Sequence, residues 1–160
     1  MSNLTPQQTK AFVENQNRYR QNVSPPAQKM PALIWDDDLA ESASQWAQQC
    51  QWGHSGTPNV GENIYGTTSM APMHSFRPVE AIDSWGNEKQ YYDYKTNSCQ
   101  PGQVCGHYTQ MVWADTDKVG CAAQTCPTFK NFPWKSGTFV VCQYSPPGNY
   151  IGQRPYRAAS

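Results

Sequence analysis

Charge of either sign is scarce in this chain. Only 15% of its 160 residues are Asp, Glu, Lys or Arg, and the twelve of each sign cancel. With a pI near 6.8, nothing in the overall charge draws it to a phosphate backbone or an anionic headgroup, and nucleic acid is not an expected partner. No apolar run approaches the roughly 18 residues of a membrane span, so no stable membrane insertion is expected. Cys-x-x-Cys is absent, and so is a Gly-x-Ser-x-Gly elbow. The six cysteines are an even number and leave no spare thiol. Ser55 follows His54, but sequence neighbours usually diverge in space, so a catalytic nucleophile is hard to find. No repeat or shift of composition divides the chain. A single domain over 1–160 is expected, as a monomer, with 146–160 as an extended polar tail.

The cysteines that are present carry information. Five, fifteen and four residues separate Cys99, Cys105, Cys121 and Cys126. That spacing fits a zinc finger poorly and a disulfide framework well, which places the protein in an oxidising compartment, secreted or luminal. Its start, MSNLTPQQTK, holds no apolar signal core, so secretion would rely on a signal segment removed from this chain. Two glycosylation sequons, at Asn3 and Asn22, are each followed by proline.

Local patterns set out the elements. Thr5, Pro6 and Gln8 read as a capping box with proline in the first turn, opening a helix to about Tyr19. Asp36-Asp37-Asp38 puts negative charge at a second helix start, more simply a cap than a calcium site. Leu39, Ala43, Trp46, Ala47 and Cys50 then form one apolar stripe whose last member should end in a disulfide to the core. Residues 51–77 read as loop, with only Asn63-Ile64-Tyr65 briefly extended. Pro78 restarts a helix with Val79, Ile82 and Trp85 inward. Gly106 to about Asp115 reads as a short helix. Lys118–Thr125 and Thr138–Tyr144 read as strands, and Asn149–Ser160 as a polar tail over the surface. Helices first and strands later argue for an α+β fold, with helices covering a small antiparallel sheet.

Chemistry gathers at few places. His54 and His107 lie in polar-aromatic settings, and Glu62 and Glu88 are the acidic residues in similarly tight ones. Two imidazoles and two carboxylates can coordinate a divalent ion, or they can hydrogen-bond one another as His–Glu pairs in a shallow core. His74 has no obvious partner and reads as a surface histidine. Ile64, Tyr65, Met70, Met73 and Phe76 stand among Gly, Thr, Ser and Pro in a segment that cannot bury itself. It either packs on the core or walls an apolar site, a use that suits flexible methionine.

Five ordered motifs resemble one family. They are His54-Ser55; Gly61-Glu62-Asn63-Ile64; Trp85-Gly86-Asn87-Glu88 followed by Tyr91-Tyr92-Asp93-Tyr94; Cys105-Gly106-His107-Tyr108-Thr109-Gln110-Met111-Val112-Trp113 with Val119-Gly120-Cys121; and Cys142-Gln143-Tyr144 with the C-terminal segment. From about Thr9 to Tyr156 the chain resembles the CAP superfamily of cysteine-rich secretory proteins, antigen five and plant pathogenesis-related class-one proteins, the plant and fungal type above all. The resemblance implies an α-β-α sandwich with three disulfides, pairing Cys50 with Cys126, Cys99 with Cys105 and Cys121 with Cys142. It implies a cleft lined by His54, Glu62, Glu88 and His107. That cleft can take a divalent metal, zinc first and magnesium or calcium as alternatives, though none is required.

The resemblance also implies function. An extracellular, non-enzymatic protein would bind sterols or fatty acids through Ile64, Tyr65, Met70, Met73 and Phe76, in a setting of defence, host–pathogen contact or lipid export. Methionines and prolines stand in that loop where aromatics are expected. In plant relatives the C-terminal segment is released as an immune signal. Here it is Pro146-Pro147-Gly148-Asn149-Tyr150-Ile151-Gly152-Gln153-Arg154-Pro155-Tyr156, preceded by Gln143 where Asn is usual and followed by four further residues. It would serve as the source or mimic of a peptide read by a host or membrane-receptor protein. A metal-dependent hydrolase, with Glu62 or Glu88 as general base, is the remaining alternative.

Overall fold

Thr5 and Gln8 cap each other as their spacing predicts. The Thr5 hydroxyl accepts from the Gln8 amide, and Gln8 Oε1 accepts from the Thr5 amide. The computed structural model describes residues 4–160 and opens α1 there, over Pro6–Gln21. The Asn3 sequon lies outside the described residues. Helix α2 runs Asp37–Ala47, with the Asp36 carboxylate accepting from Leu39 N. It stops before Cys50, which sits beyond its end at a φ of 49°. The expected stripe therefore runs off the helix, yet Cys50 still reaches the core through its bond to Cys126. The other two disulfides are Cys99–Cys105 and Cys121–Cys142, the pairing the resemblance implies.

Four strands form the sheet in the order β1-β5-β6-β2. They are β1 (Ile34–Trp35), β2 (Gly61–Thr67), β5 (Lys118–Cys126) and β6 (Gly137–Ser145). Strand β1 runs parallel to β5, and the other pairs are antiparallel. A small separate ribbon pairs β3 (Tyr92–Asp93) with β4 (Ser98–Cys99). On one face α2 packs Ala43 and Ala47 against Ile64, Ala122, Phe139 and Val141. On the other, α1, α3 (Pro78–Gly86) and α4 (Gly106–Met111) pack Phe12, Ala81, Ile82, Trp85 and Met111, with Val112 just past α4, against Val119, Cys121, Val140, Cys142 and Tyr144. The result is the α-β-α sandwich. Because both faces are covered, β6 is buried almost throughout rather than alternating.

Four local expectations are corrected. Residues 51–77 are not all loop: Gly61–Thr67 pairs along its whole length with β6. Ile64 and Tyr65 are therefore strand residues. Ala81, not Val79, is buried beside Ile82 and Trp85 in α3. Helix α4 ends at Met111, well before Asp115. The buried Arg20 guanidinium donates to Met111 O, the last carbonyl of α4, and to Trp113 O and Thr116 O just beyond it, so a side chain takes the place of the next helical amide. Burial lowers the Arg20 pKa to about 10, still charged at neutral pH. Finally, the tail does not merely cross the surface. Tyr156 enters the main core, 5% exposed, with its hydroxyl donating to Pro25 O. Ala158 bridges Ala27.

Candidate functional site

Glu62 is the second residue of β2, and its side chain is only 7% exposed. Every lone-pair direction it has is used. Oε1 accepts from the Ser55 amide at 2.8 Å and lies 2.9 Å from His54 Nδ1. Oε2 accepts from the Ser55 hydroxyl at 2.6 Å and from Gln143 Nε2 at 2.9 Å. Burial works against the ionised carboxylate, but the bonds from His54, Ser55 and Gln143 outweigh it, and its pKa lies below the ordinary 4.5. His54 is 60% exposed. Its hydrogen bond to Glu62 raises its pKa, burial opposes that, and the carboxylate's charge adds to the rise.

The second pair repeats the pattern at a helix start. Cys105, the N-cap of α4, offers no side-chain cap. Glu88, from the 3₁₀ turn Asn87–Tyr91, supplies one: Oε1 accepts from His107 N at 2.9 Å and Tyr108 N at 3.0 Å. Glu88 Oε2 lies 2.6 Å from His107 Nδ1. Trp85 stacks on the His107 ring at 4° and 6.2 Å. Asn63, next to Glu62, donates to His107 O at 3.0 Å and so joins the two pairs. Behind Asn63, Tyr144 is buried and donates to Gln16.

The four residues named from the sequence thus form two His–Glu pairs rather than one four-ligand cluster. Among the described residues no group of three or more His, Cys, Asp or Glu side chains is placed to hold a metal ion. The donor set does fit a different use. Each carboxylate holds the Nδ1 of its histidine, and among the described residues neither Nε2 makes a hydrogen bond. That is how a metal-ligating imidazole is oriented by a carboxylate behind it. Ser55, Asn63, Trp85 and Gln143 position these groups, a role that their places in the sequence motifs do not reveal. Gln143 meets Ser55 across 88 residues of chain, and no local signal carries that meeting.

The five residues expected to touch lipid are not gathered into one wall. Ile64 is buried in the α2-side core. Tyr65 is half-buried against the other core and donates to Glu80. Met73 and Phe76 also pack on that core, and Gln8 Nε2 donates to both of their carbonyls. Met70 is 43% exposed.

The C-terminal segment is anchored along its length. Pro146 O accepts from Thr116, Gly148 N donates to Gln110, and Asn149 bonds Thr109 and Gly106. Pro147 is half-buried. Tyr150 packs near Trp113 and its carbonyl accepts from Gln153 N across a turn that leaves Ile151 and Gly152 exposed. Arg154 donates to Tyr94 O and Lys95 O, and Pro155 O accepts from Ala114 N. Releasing this segment would withdraw Tyr156 from the core.

The model of a family described as CAP, the cysteine-rich secretory protein family, matches residues 13–144. Peptidase inhibitor 16 of Mus musculus is 39% identical over 158 residues, covering 96% of this chain and 30% of its own. The chain spans about a third of the length of the peptidase inhibitor 16 relatives it matches. Pathogenesis-related protein PR-1 of Medicago truncatula is 43% identical, over 89% of this chain and 79% of its own. Among solved structures, Na-ASP-1 matches at 31% identity and a TM-score of 0.78, covering 94% of this chain and 41% of that one. NaASP2 with Zn2+ matches at 24% identity and a TM-score of 0.77, over 98% and 88%, a likeness that shows the fold alone.

Proposed function

The chain belongs to the CAP, cysteine-rich secretory protein, family, and from that premise we propose that it is an extracellular binding module in which His54 and His107 hold a divalent ion, zinc before any other. One observation carries the reading: both imidazoles are fixed at Nδ1 by carboxylates already spent on backbone amides, which leaves the two Nε2 atoms as the open donors. A bound ion would supply a concentrated positive charge for recruiting an anionic or carbonyl ligand. Imidazole nitrogen suits zinc, whereas calcium and magnesium take oxygen, and both carboxylates are occupied. A general-base role for Glu62 or Glu88 would require giving up the same bonds. The three disulfides fit an oxidising, extracellular compartment. Among the described residues no helix is long and apolar enough to cross a membrane.

Calorimetric titration of zinc into wild type, His54→Ala and His107→Ala tests the reading. Saturable binding by wild type, lost in both variants and not reproduced by calcium, is expected. Zinc binding that persists unchanged in the double variant would remove the pair from consideration.

The ligand proposed for this module is a sterol or fatty acid. Support comes from the segment that joins β2 to α3, which leaves Met70 exposed and half-buries Met73 and Phe76 on the core. Titration with labelled cholesterol and a labelled fatty acid, with and without zinc, decides it, and no saturable uptake at micromolar protein would sink it. A setting of defence or host–pathogen contact is proposed on the likeness to PR-1.

A further inference from the structure

The zero net charge of the whole chain hides a local segregation. Two loops meet where β2 ends and β6 begins. One is 68–72, tied down where Thr138 Oγ1 donates to Ser69 O at 2.7 Å. The other is 127–136, closed by Phe129 N donating to Lys135 O and laced to residues 50–52 through Lys130 N to Cys50 O and Trp52 N to Lys130 O. Neither segment contains Asp or Glu, nor do 50–52. Lys130 and Lys135 are both exposed.

An aromatic ladder rises out of the core through the second loop. Phe129 is buried and stacks on Phe132 at 4.3 Å. Trp52 meets Phe132 at 5.4 Å, and both rings lie over Gly66, where a Cβ would strike them. Phe132 in turn supports Trp134 at 5.9 Å. Trp134 is left 59% exposed, and Met70 stands exposed on the neighbouring loop. A large indole held up on a packed base between two lysines has the chemistry of a membrane-interface anchor. The ring takes the headgroup level, and the ammonium groups take anionic phosphates.

We propose that this end of the sheet is a peripheral docking face for anionic bilayers, with Trp134 entering the interface and Lys130 and Lys135 binding its headgroups. The face is separate from the His–Glu pairs and does not depend on a metal. Because the whole chain sums to zero, the charge outside these loops is net negative, so the loops also set the orientation on an anionic surface. Contact is peripheral and reversible, in keeping with the absence, among the described residues, of a helix able to span a membrane.

Cosedimentation with phosphatidylcholine vesicles, with and without phosphatidylserine, tests the proposal. Binding is expected only with phosphatidylserine and is expected to fall with salt. Lys130→Gln/Lys135→Gln should weaken it about fivefold per lysine, and Trp134→Ala roughly tenfold. The lysine pair should leave the zinc titration unchanged, so loss of this docking and loss of the metal site read out separately. If Trp134→Ala fails to fold, the two exposed lysines still decide the matter. Equal binding to both vesicle types, or wild-type binding by the lysine variant, overturns the proposal. So does concentration-dependent self-association abolished by Trp134→Ala, which would seat a second copy of this chain on the face instead.

Discussion

Glu62 and Glu88 each do two things at once: they satisfy backbone amides at the start of a turn or helix, and they orient an imidazole. The four charged or titratable residues were legible from their motifs, but their pairing was not. Spacing allowed either a metal cluster or His–Glu bonds, and only the third dimension brings Gln143 and Ser55 onto Glu62 to consume its remaining lone pairs. A pH dependence follows for the exposed pair. His54 has its pKa raised above the ordinary 6.5, so its contribution to stability is complete below 6.5 and is lost as pH rises through the raised value. Glu62 has its pKa lowered below 4.5, so its contribution is complete above 4.5 and is lost as pH falls through the lowered value. Both act fully only between 4.5 and 6.5. Urea midpoints of wild type and His54→Gln, followed across pH with a chelator present, should differ most inside that window and converge on either side. A gap that does not change with pH would show that the pair's charge does nothing for stability.

Helices α1, α2 and α3 were legible because caps, prolines and apolar stripes coincide in them, each a short-range signal. Strand β2 was legible only in its middle. Towards its ends stand Gly61, Glu62 and Gly66, poor strand formers whose conformation is imposed by pairing with β6. The length of α4 was hidden for a related reason, since a guanidinium from α1 ends it. The close approach of α2 to the sheet is not legible either, although the residue that permits it belongs to the Val119-Gly120-Cys121 motif. Gly120 on β5 faces the first turn of α2, and a Cβ there would overlap the backbone of Ala40, Leu39 and Asp36. Backbone cannot swing aside as a side-chain tip can. Gly120→Ala should therefore push α2 off β5 and destabilise the fold by about 3 kcal/mol, at the upper end for an overpacked core. Urea denaturation measures it. A loss below about 0.5 kcal/mol would mean that α2 shifts outward at little cost.

Across the whole molecule, the sheet separates two cores, and the disulfides divide the work of holding them. Cys50–Cys126 closes a separation of 76 residues and ties the end of α2 to the end of β5 in the smaller core. Cys121–Cys142 joins directly opposed residues of β5 and β6 in the larger one. Cys99–Cys105 closes a separation of only six residues, but Cys105 is the N-cap of the helix that carries His107. Loop-closure entropy in the unfolded chain makes the long bridge worth more, about 4 kcal/mol against about 2 kcal/mol for the short one. The site ranks them the other way. Cys50→Ala/Cys126→Ala should lower the urea-derived stability more while leaving the zinc affinity of the folded protein close to wild type, because Trp46 Nε1 donating to Gly53 O and Trp52 N donating to Lys130 O still hold the segment that leads into His54. Cys99→Ala/Cys105→Ala should lower stability less. It frees the segment leading into α4, so Glu88 must order His107 N and Tyr108 N without a fixed N-cap, and zinc binding should weaken by the larger factor. Measuring both quantities on both variants checks the division: if stability and affinity fall in the same order, the short bridge serves the fold alone and the histidine is positioned by Glu88 and Trp85 without it.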